Sequence, residues 1–376
     1  MEMALTSIPN QRVPGIDALR GLAASGIVIL HSWSIFPLYS DVVRSKIAQF
    51  LSFGVPLFFV LSAFALSEAY GSGIDGTAKL RSYTWRRFFR IAPLFYVVLG
   101  AWSLEFYWLG SPLANIQTYF LNLTFTFGLV PAVQTSIVPA GWSLGVEALF
   151  YLIFPLVLLT RTSRTALVAL VGGAFATNFI FNHYVADGMP QFFWWTHFLN
   201  NLPYFALGIV IHYIYRNCPV TSLGRLSTGS LLIGIALLAL ATFYLPFVDT
   251  NKPIIWQIPV IWGIGLALIA LSQSAQPNKI MVNPATGYLG RVSYSLYLVH
   301  PLIIYATPFV QEIAVSNLPV LVKLIIAPLY AGLTSILAAS FLYYFIEQPC
   351  QRLARRWERG LFVPLESNTT EIPQSP

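Results

Sequence analysis

The stretch RGLAASGIVILHSWSIF, residues 20–36, has the length and apolarity of a membrane span, yet it opens with Arg20 and carries His31 eleven residues later. About 20 apolar residues cross a bilayer as a helix. An ionisable side chain within them needs a partner, a cavity or a route to the interface. The segment thus indicates the solvent in which the chain folds, and it marks where chemistry is to be sought.

The rest of the 376-residue chain repeats the pattern. It is 56% hydrophobic and 9% charged, with mean hydropathy +0.68, whereas soluble domains carry about 25% charged residues. Ten segments are predicted to span: 16–38, 49–70, 91–110, 140–160, 165–184, 192–215, 227–248, 254–273, 292–310 and 320–346. They are too long and too continuous for barrel strands. The fold class is therefore all-α, a polytopic membrane protein of about ten transmembrane helices. Residues 1–12 read as a cytoplasmic tail, 13–350 as the transmembrane domain, and 351–376 as a basic cytoplasmic segment ending in a polar, disordered tail. The connection 112–139, with Pro112, Pro131 and Pro139, suggests an interfacial helix around TYFLNLTFTF. No internal repeat and no second soluble domain is visible.

Lysine and arginine positions orient the chain. With a cytoplasmic N-terminus, 17 basic residues fall on the inner side and Arg44, Lys46, Lys252 and Lys323 on the other; both termini are then cytoplasmic. The formal charge of +7 is a topology signal, and no basic soluble face with stacking aromatics points to nucleic acid. Cys218 and Cys350 both fall on the cytoplasmic side, which argues against a disulfide and against a metal site. The first apolar run is too long for a cleaved leader and is expected to remain as an anchor.

Four groups of ionisable residues lie within or beside the spans. Arg20 and His31, close to three turns apart, share a helix face about 16 Å in length, with Asp17 one turn before Arg20 and able to pair with it. Arg20 admits two readings, a snorkelling anchor or a functional cation. His31 is too deep to snorkel and is read as a general base. In RSYTWRRFFRIAP, residues 81–93, Arg86, Arg87 and Arg90 gather on one helical side, with Phe88 and Phe89 turned to lipid. They form either a positive-inside cluster or a bidentate phosphate site. In GWSLGVEALFYLIFP, residues 141–155, Glu147 is a buried carboxylate at the depth of His31, about 10 Å below the outer surface, so a His31–Glu147 pair is geometrically available. In GRVSYSLYLVHPLII, residues 290–304, Tyr294, Tyr297 and His300 form a polar stripe, read equally as interhelical hydrogen bonds or as catalytic groups. His197 and His212 are read as structural.

Together IDALRGLAASGIVILH, FFVLSAF, RRFFRIAPLFY, WSLGVEALFY, LGRVSYSLYLVHP and FIEQP resemble, in order, the acyltransferase-3 family of integral-membrane O-acyltransferases, over about residues 13–350. The resemblance implies transfer of an acyl group, usually acetyl, from cytoplasmic acyl-CoA to a hydroxyl of a sugar, surface polysaccharide, glycolipid or related acceptor, in a bacterial inner membrane. It implies that Arg20 and His31 are essential. Arg87 and Arg90 match the family's arginine-x-x-arginine motif, and Trp142, Ser143 and Glu147 match another. The mechanism expected has Arg86, Arg87 and Arg90 binding the donor's phosphates and His31 taking the acceptor proton, with Glu147 orienting it. Arg20, Tyr297 or His300 would assist, and no metal takes part. Direct attack and an acyl-histidine intermediate both remain open. Ala63 departs from the commoner glycine in LSGF. An extracytoplasmic hydrolase-like domain, present in some members, is absent from the motif order, so a single-component enzyme or a separate extracytoplasmic partner is expected. The rival class is a proton-coupled secondary transporter, against which stand the lack of an inverted repeat and the arginine cluster; a scaffolding protein would leave Arg20, His31 and Glu147 without a role.

Overall fold

The computed structural model describes residues 13–34, 42–71, 73–74, 76–131, 133–159, 163–185, 193–243 and 257–361. Arg12, Arg161, Lys252 and the terminal tails of the sequence reading lie outside these. Fifteen α-helices follow in order among the described residues: α1 (Pro14–Ser34), α2 (Val42–Ser52), α3 (Gly54–Tyr70), α4 (Gly76–Trp108), α5 (Ile116–Leu123), α6 (Trp142–Leu159), α7 (Arg164–Ile180), α8 (Phe193–Thr196), α9 (Phe198–Asn217), α10 (Val220–Phe243), α11 (Gln257–Ala275), α12 (Pro284–Ala306), α13 (Pro308–Val315), α14 (Val320–Leu342) and α15 (Gln348–Leu361). No strand occurs among the described residues. The short α5 lies where the interfacial helix was expected.

Local chemistry starts these helices where the sequence allows. Asn283 caps α12 by accepting from the backbone N–H of Ala285 and Thr286, with Pro284 next in line and Thr286 closing a capping box. Ser163 caps α7 and Asn115 caps α5 in the same way. Tyr343–Glu347 forms a π-helical turn that joins α14 to α15.

In their described residues the ten apolar segments are mainly helical, with 49–70, 192–215 and 292–310 each running over two helices. Among the described residues, five helices are long and apolar enough to cross a membrane unaided, or six if α12 and α13, bent by 57°, make one span. Helices α6 and α11 are apolar but shorter. Helices α1 and α9 fall outside the set because they carry polar residues inward: Arg20 and His31 on one, the buried Asn200 and Asn201 on the other. The outer faces are apolar. Leu329, Leu333, Leu337, Phe341 and Phe345 form a stripe at four-residue spacing on α14 and the turn after it, each at least 58% exposed. A protein in water buries such a stripe; the chain is an integral membrane protein whose stripe faces lipid.

Helices α1 and α12 make the most extensive contact in the bundle. Their backbones nearly touch at two glycines. A Cβ on Gly21 would lie 2.7 Å from the Gly290 nitrogen, and one on Gly290 would lie 2.0 Å from the Asp17 carbonyl oxygen. Small residues permit such approaches in membranes. The crossing sets the α1 face that carries Arg20 and His31 against the α12 face that carries Tyr294, Tyr297 and His300.

Candidate active site

A cavity of about 300 Å³ is walled by α1, α3, α4, α12 and the α14–α15 turn, and four guanidinium groups line it: Arg20, Arg87, Arg90 and Arg291. Asp17 and Glu68 share the wall. The Asp17–Arg20 ion pair that the spacing allows is not formed; the Nε of Arg20 is buried with no partner, as is the Nε of Arg87. Arg87 lies over the rings of Tyr70 and Tyr151, at 5.6 and 5.7 Å. Glu347 pairs with Arg90, whose guanidinium lies 5.3 Å from the Tyr294 ring centroid. Ser295 and Gln351 also donate to Glu347, at 2.6 and 3.1 Å.

Arg86 does not join this set. Its Nε donates to Glu358 at 2.7 Å, on α15, and it is half-exposed. Arg86 and Arg87 are adjacent on α4 and so point about 100° apart around its axis; Arg87 faces the cavity with Arg90, and α15 takes Arg86 through Glu358. Phe88 is exposed as expected, but Phe89 packs between Trp85 and Trp357, at 4.7 and 6.2 Å, rather than facing lipid.

Arg20 also lines a second, smaller cavity of about 40 Å³, with Phe58, Phe59, Ser143, Leu144, Glu147, Ser293, Tyr294 and Tyr297. The Oε1 of Glu147 accepts from Ser62 and Tyr151, both at 2.5 Å. Tyr297 donates to the Ala140 carbonyl at 2.9 Å and accepts from Ser143 at 2.9 Å. Its ring centroid lies 5.8 Å from that of Phe58 on one side and 5.8 Å from that of His300 on the other.

His31 meets His300, not Glu147. Nδ1 of His31 lies 2.7 Å from Nε2 of His300, with ring planes within 7° of each other. The pairing with Glu147 inferred from equal depth is thus corrected: depth along a helix is an axial coordinate, and the α1–α12 crossing decides which neighbour the ring reaches. His300 is fully buried. His197 and His212 are structural, as read: His197 caps α9 through Nδ1, and His212 bonds Glu68 at 3.0 Å, which also pairs with Arg216.

A family model described as an acyltransferase domain matches residues 13–346, nearly the whole chain. The chain belongs to the acyltransferase-3 family. Relatives within reach of sequence comparison include a protein provisionally named an O-acetyltransferase from Staphylococcus aureus strain COL, 26% identical over 94% of this chain and 60% of its own length. A provisionally named peptidoglycan O-acetyltransferase of Bacillus subtilis is 24% identical over 94% of this chain and 57% of its own. The peptidoglycan O-acetyltransferase OatA of Listeria monocytogenes is 26% identical over 83% of this chain and 53% of its own. The chain thus spans only some three-fifths of the length of the curated relatives it matches. No solved structure matches it.

Within this acyltransferase-3 fold, sequence reasoning passed over four residues. Glu347 lay in the quoted motif FIEQP without a role, although a carboxylate near the end of an apolar span was signal enough. Arg291 replaces Arg86 at the arginine-lined cavity, and its place beside Gly290 was visible in GRVSYSLYLVHP. Glu68, a carboxylate near the end of the span 49–70, carried the same mark; Ser62 carried none, because only contact between α3 and α6 gives it Glu147 as a partner.

Proposed function

We propose that this acyltransferase-3 protein is an O-acetyltransferase that moves an acetyl group from cytoplasmic acetyl-CoA to a hydroxyl of a surface glycan. In this reading the chain crosses a bacterial inner membrane ten times with both termini inside, so that the arginine-lined cavity opens to the cytoplasm. The single observation that carries the proposal is that Arg20 walls both cavities, and the smaller one is also lined by Tyr297, whose ring centroid lies 5.8 Å from that of His300, the hydrogen-bond partner of His31.

The chemistry follows from those positions. Arg87, Arg90 and Arg291 hold the donor's phosphates, since guanidinium forks bind phosphate oxygens in pairs. The pantetheine arm passes Arg20, whose free Nε is available to the thioester carbonyl as negative charge develops on it. Tyr297 and Ser143 shape the far wall. His31 removes the proton from the acceptor hydroxyl, the hydroxyl oxygen bonds to the carbonyl carbon, and the carbon–sulfur bond breaks. The names of the peptidoglycan relatives favour a glycan as acceptor.

The test is mass spectrometry of surface glycans from cells with and without the protein, with acetyl-CoA turnover by the full chain in lipid nanodiscs measured alongside. The expected result is a glycan mass increment of one acetyl group that disappears in His31→Ala while the protein remains inserted. Wild-type turnover by His31→Ala overturns the assignment of the base.

A further inference from the structure

We infer that His300 is a positioning residue that holds His31 as its Nδ1–H tautomer, leaving Nε2 of His31 as the basic nitrogen. The inference rests on the reading of His31 as the proton acceptor, and it assigns which of the two ring nitrogens does the work and what selects it.

Donors and acceptors around the pair fix the hydrogens. Nδ1 of His300 lies 3.2 Å from the carbonyl oxygen of Leu296, one turn earlier on α12. A carbonyl oxygen only accepts, so Nδ1 of His300 carries the hydrogen. A neutral imidazole has one N–H, and Nε2 of His300 is therefore a lone pair. That lone pair faces Nδ1 of His31 at 2.7 Å. Two lone pairs at that separation repel, so Nδ1 of His31 carries its ring's single hydrogen and donates it. Nε2 of His31 is left unprotonated. The rings lie 5.0 Å apart between centroids and within 7° of parallel; with the nitrogens at 2.7 Å, they meet edge to edge, as an N–H···N bond requires.

Two features hold the second ring. His300 has no exposed surface, so water does not compete for either nitrogen. Pro301 follows it and brings no N–H, which frees the Tyr297 carbonyl from its helical donor, and that carbonyl also interacts with the His300 ring. The anchor is thus built into α12 by the His-Pro pair itself. A serine-protease triad applies the same logic with a carboxylate in the orienting place: the third group fixes the tautomer of the base and accepts from the imidazolium that forms. Here a backbone carbonyl and a second imidazole fill that place without burying a charge. In the reaction, the acceptor O–H bond breaks and its proton goes to Nε2 of His31. The new oxygen–carbon bond forms, the carbon–sulfur bond breaks, and the leaving thiolate takes the proton back from Nε2.

The test has two arms on the full chain in bilayers. The first is nitrogen-15 NMR with labelled histidine, tractable because the chain holds only five histidines. Both His31 and His300 are expected as Nδ1–H forms, with a nitrogen–nitrogen coupling across the bond that joins them. An Nε2–H form of His31 in the resting protein overturns the inference, whatever the activity. The second arm compares His300→Gln, whose side-chain oxygen falls near the place of Nε2 and accepts, with His300→Phe, which fills the volume and accepts nothing. His300→Gln is expected to keep kcat within about tenfold of wild type. His300→Phe is expected to lose about 10²–10⁴-fold in kcat with KM for acetyl-CoA unchanged. Equal losses in both variants, or no loss in His300→Phe, overturn the inference. His31→Ala run in parallel separates the two claims: if it stays active, the base assignment fails, whereas an inactive His31→Ala beside a fully active His300→Phe sinks only the role of His300.

Discussion

Glu347, on the turn between α14 and α15, holds the guanidinium of Arg90 at the wall of the arginine-lined cavity, with Ser295 on the carboxylate's other oxygen. Glu347 is almost wholly buried and Arg90 is mostly so. Removing one partner of a buried pair leaves the other charge uncompensated, at a cost of about 3–5 kcal/mol. Glu347→Ala is therefore expected to lower the melting temperature markedly and to weaken acetyl-CoA binding. Thermal unfolding in detergent, with calorimetric titration of the donor, checks both; unchanged stability shows that the pair is not built as described.

Arg86 and Arg87 are neighbours in sequence with opposite assignments. Arg86 is bound to Glu358, whereas Arg87 lines the cavity with a free Nε. Arg87→Ala is expected to weaken donor binding by about 10–100-fold, the range of one charge-assisted hydrogen bond of roughly 1.5–3 kcal/mol. Arg86→Ala should change it by less than about threefold, since half-exposed ion pairs contribute little. Binding titrations of the two variants in nanodiscs decide it, and equal losses would restore the three-arginine site read from the sequence.

The crossing at Gly21 and Gly290 leaves no room for a methyl group. Gly290→Ala puts a carbon against the Asp17 carbonyl, so α1 must move off α12, and overpacking of this kind costs about 1–3 kcal/mol or more. The expected readouts are a lower unfolding temperature and, in the NMR experiment, loss of the coupling between His31 and His300. A wild-type melting curve with that coupling intact would mean the helices have more freedom than the backbone contact allows.

Phe58 lines the small cavity with Arg20 and stands against Tyr297, its ring centroid 5.8 Å away. A cavity of about 40 Å³ suits a short acyl group. Phe58→Ala is expected to shift the ratio of kcat/KM values from acetyl-CoA toward propionyl-CoA by about tenfold, the low end of what one methylene decides in an apolar pocket. Steady-state kinetics with both donors measure it; an unchanged ratio places the acyl group elsewhere.

Much of this architecture was legible in the residues. The apolar segments are mainly helical in their described residues, because unpaired backbone groups in hydrocarbon leave a helix as the one local solution for a continuous apolar run. Asn283, Pro284 and Thr286 mark the start of α12 through bonds within four residues. The ionisable groups Arg20, His31, Glu147 and His300 stood out by their cost in an oily segment, and the structure gathers them around two cavities and one histidine pair. The pairings themselves were not legible. Equal depth suggested His31 with Glu147, yet Glu147 is held by Ser62 and Tyr151, and His31 by a residue 269 positions away.

What the sequence by itself determined is the medium, the helices and the identity of the groups that must find partners, because those follow from transfer energies and from bonds a few residues long. Only the tertiary structure decided the partners. Which faces meet depends on how two helices cross, and here that crossing is set by backbone contact at Gly21 and Gly290, between segments that no local interaction connects.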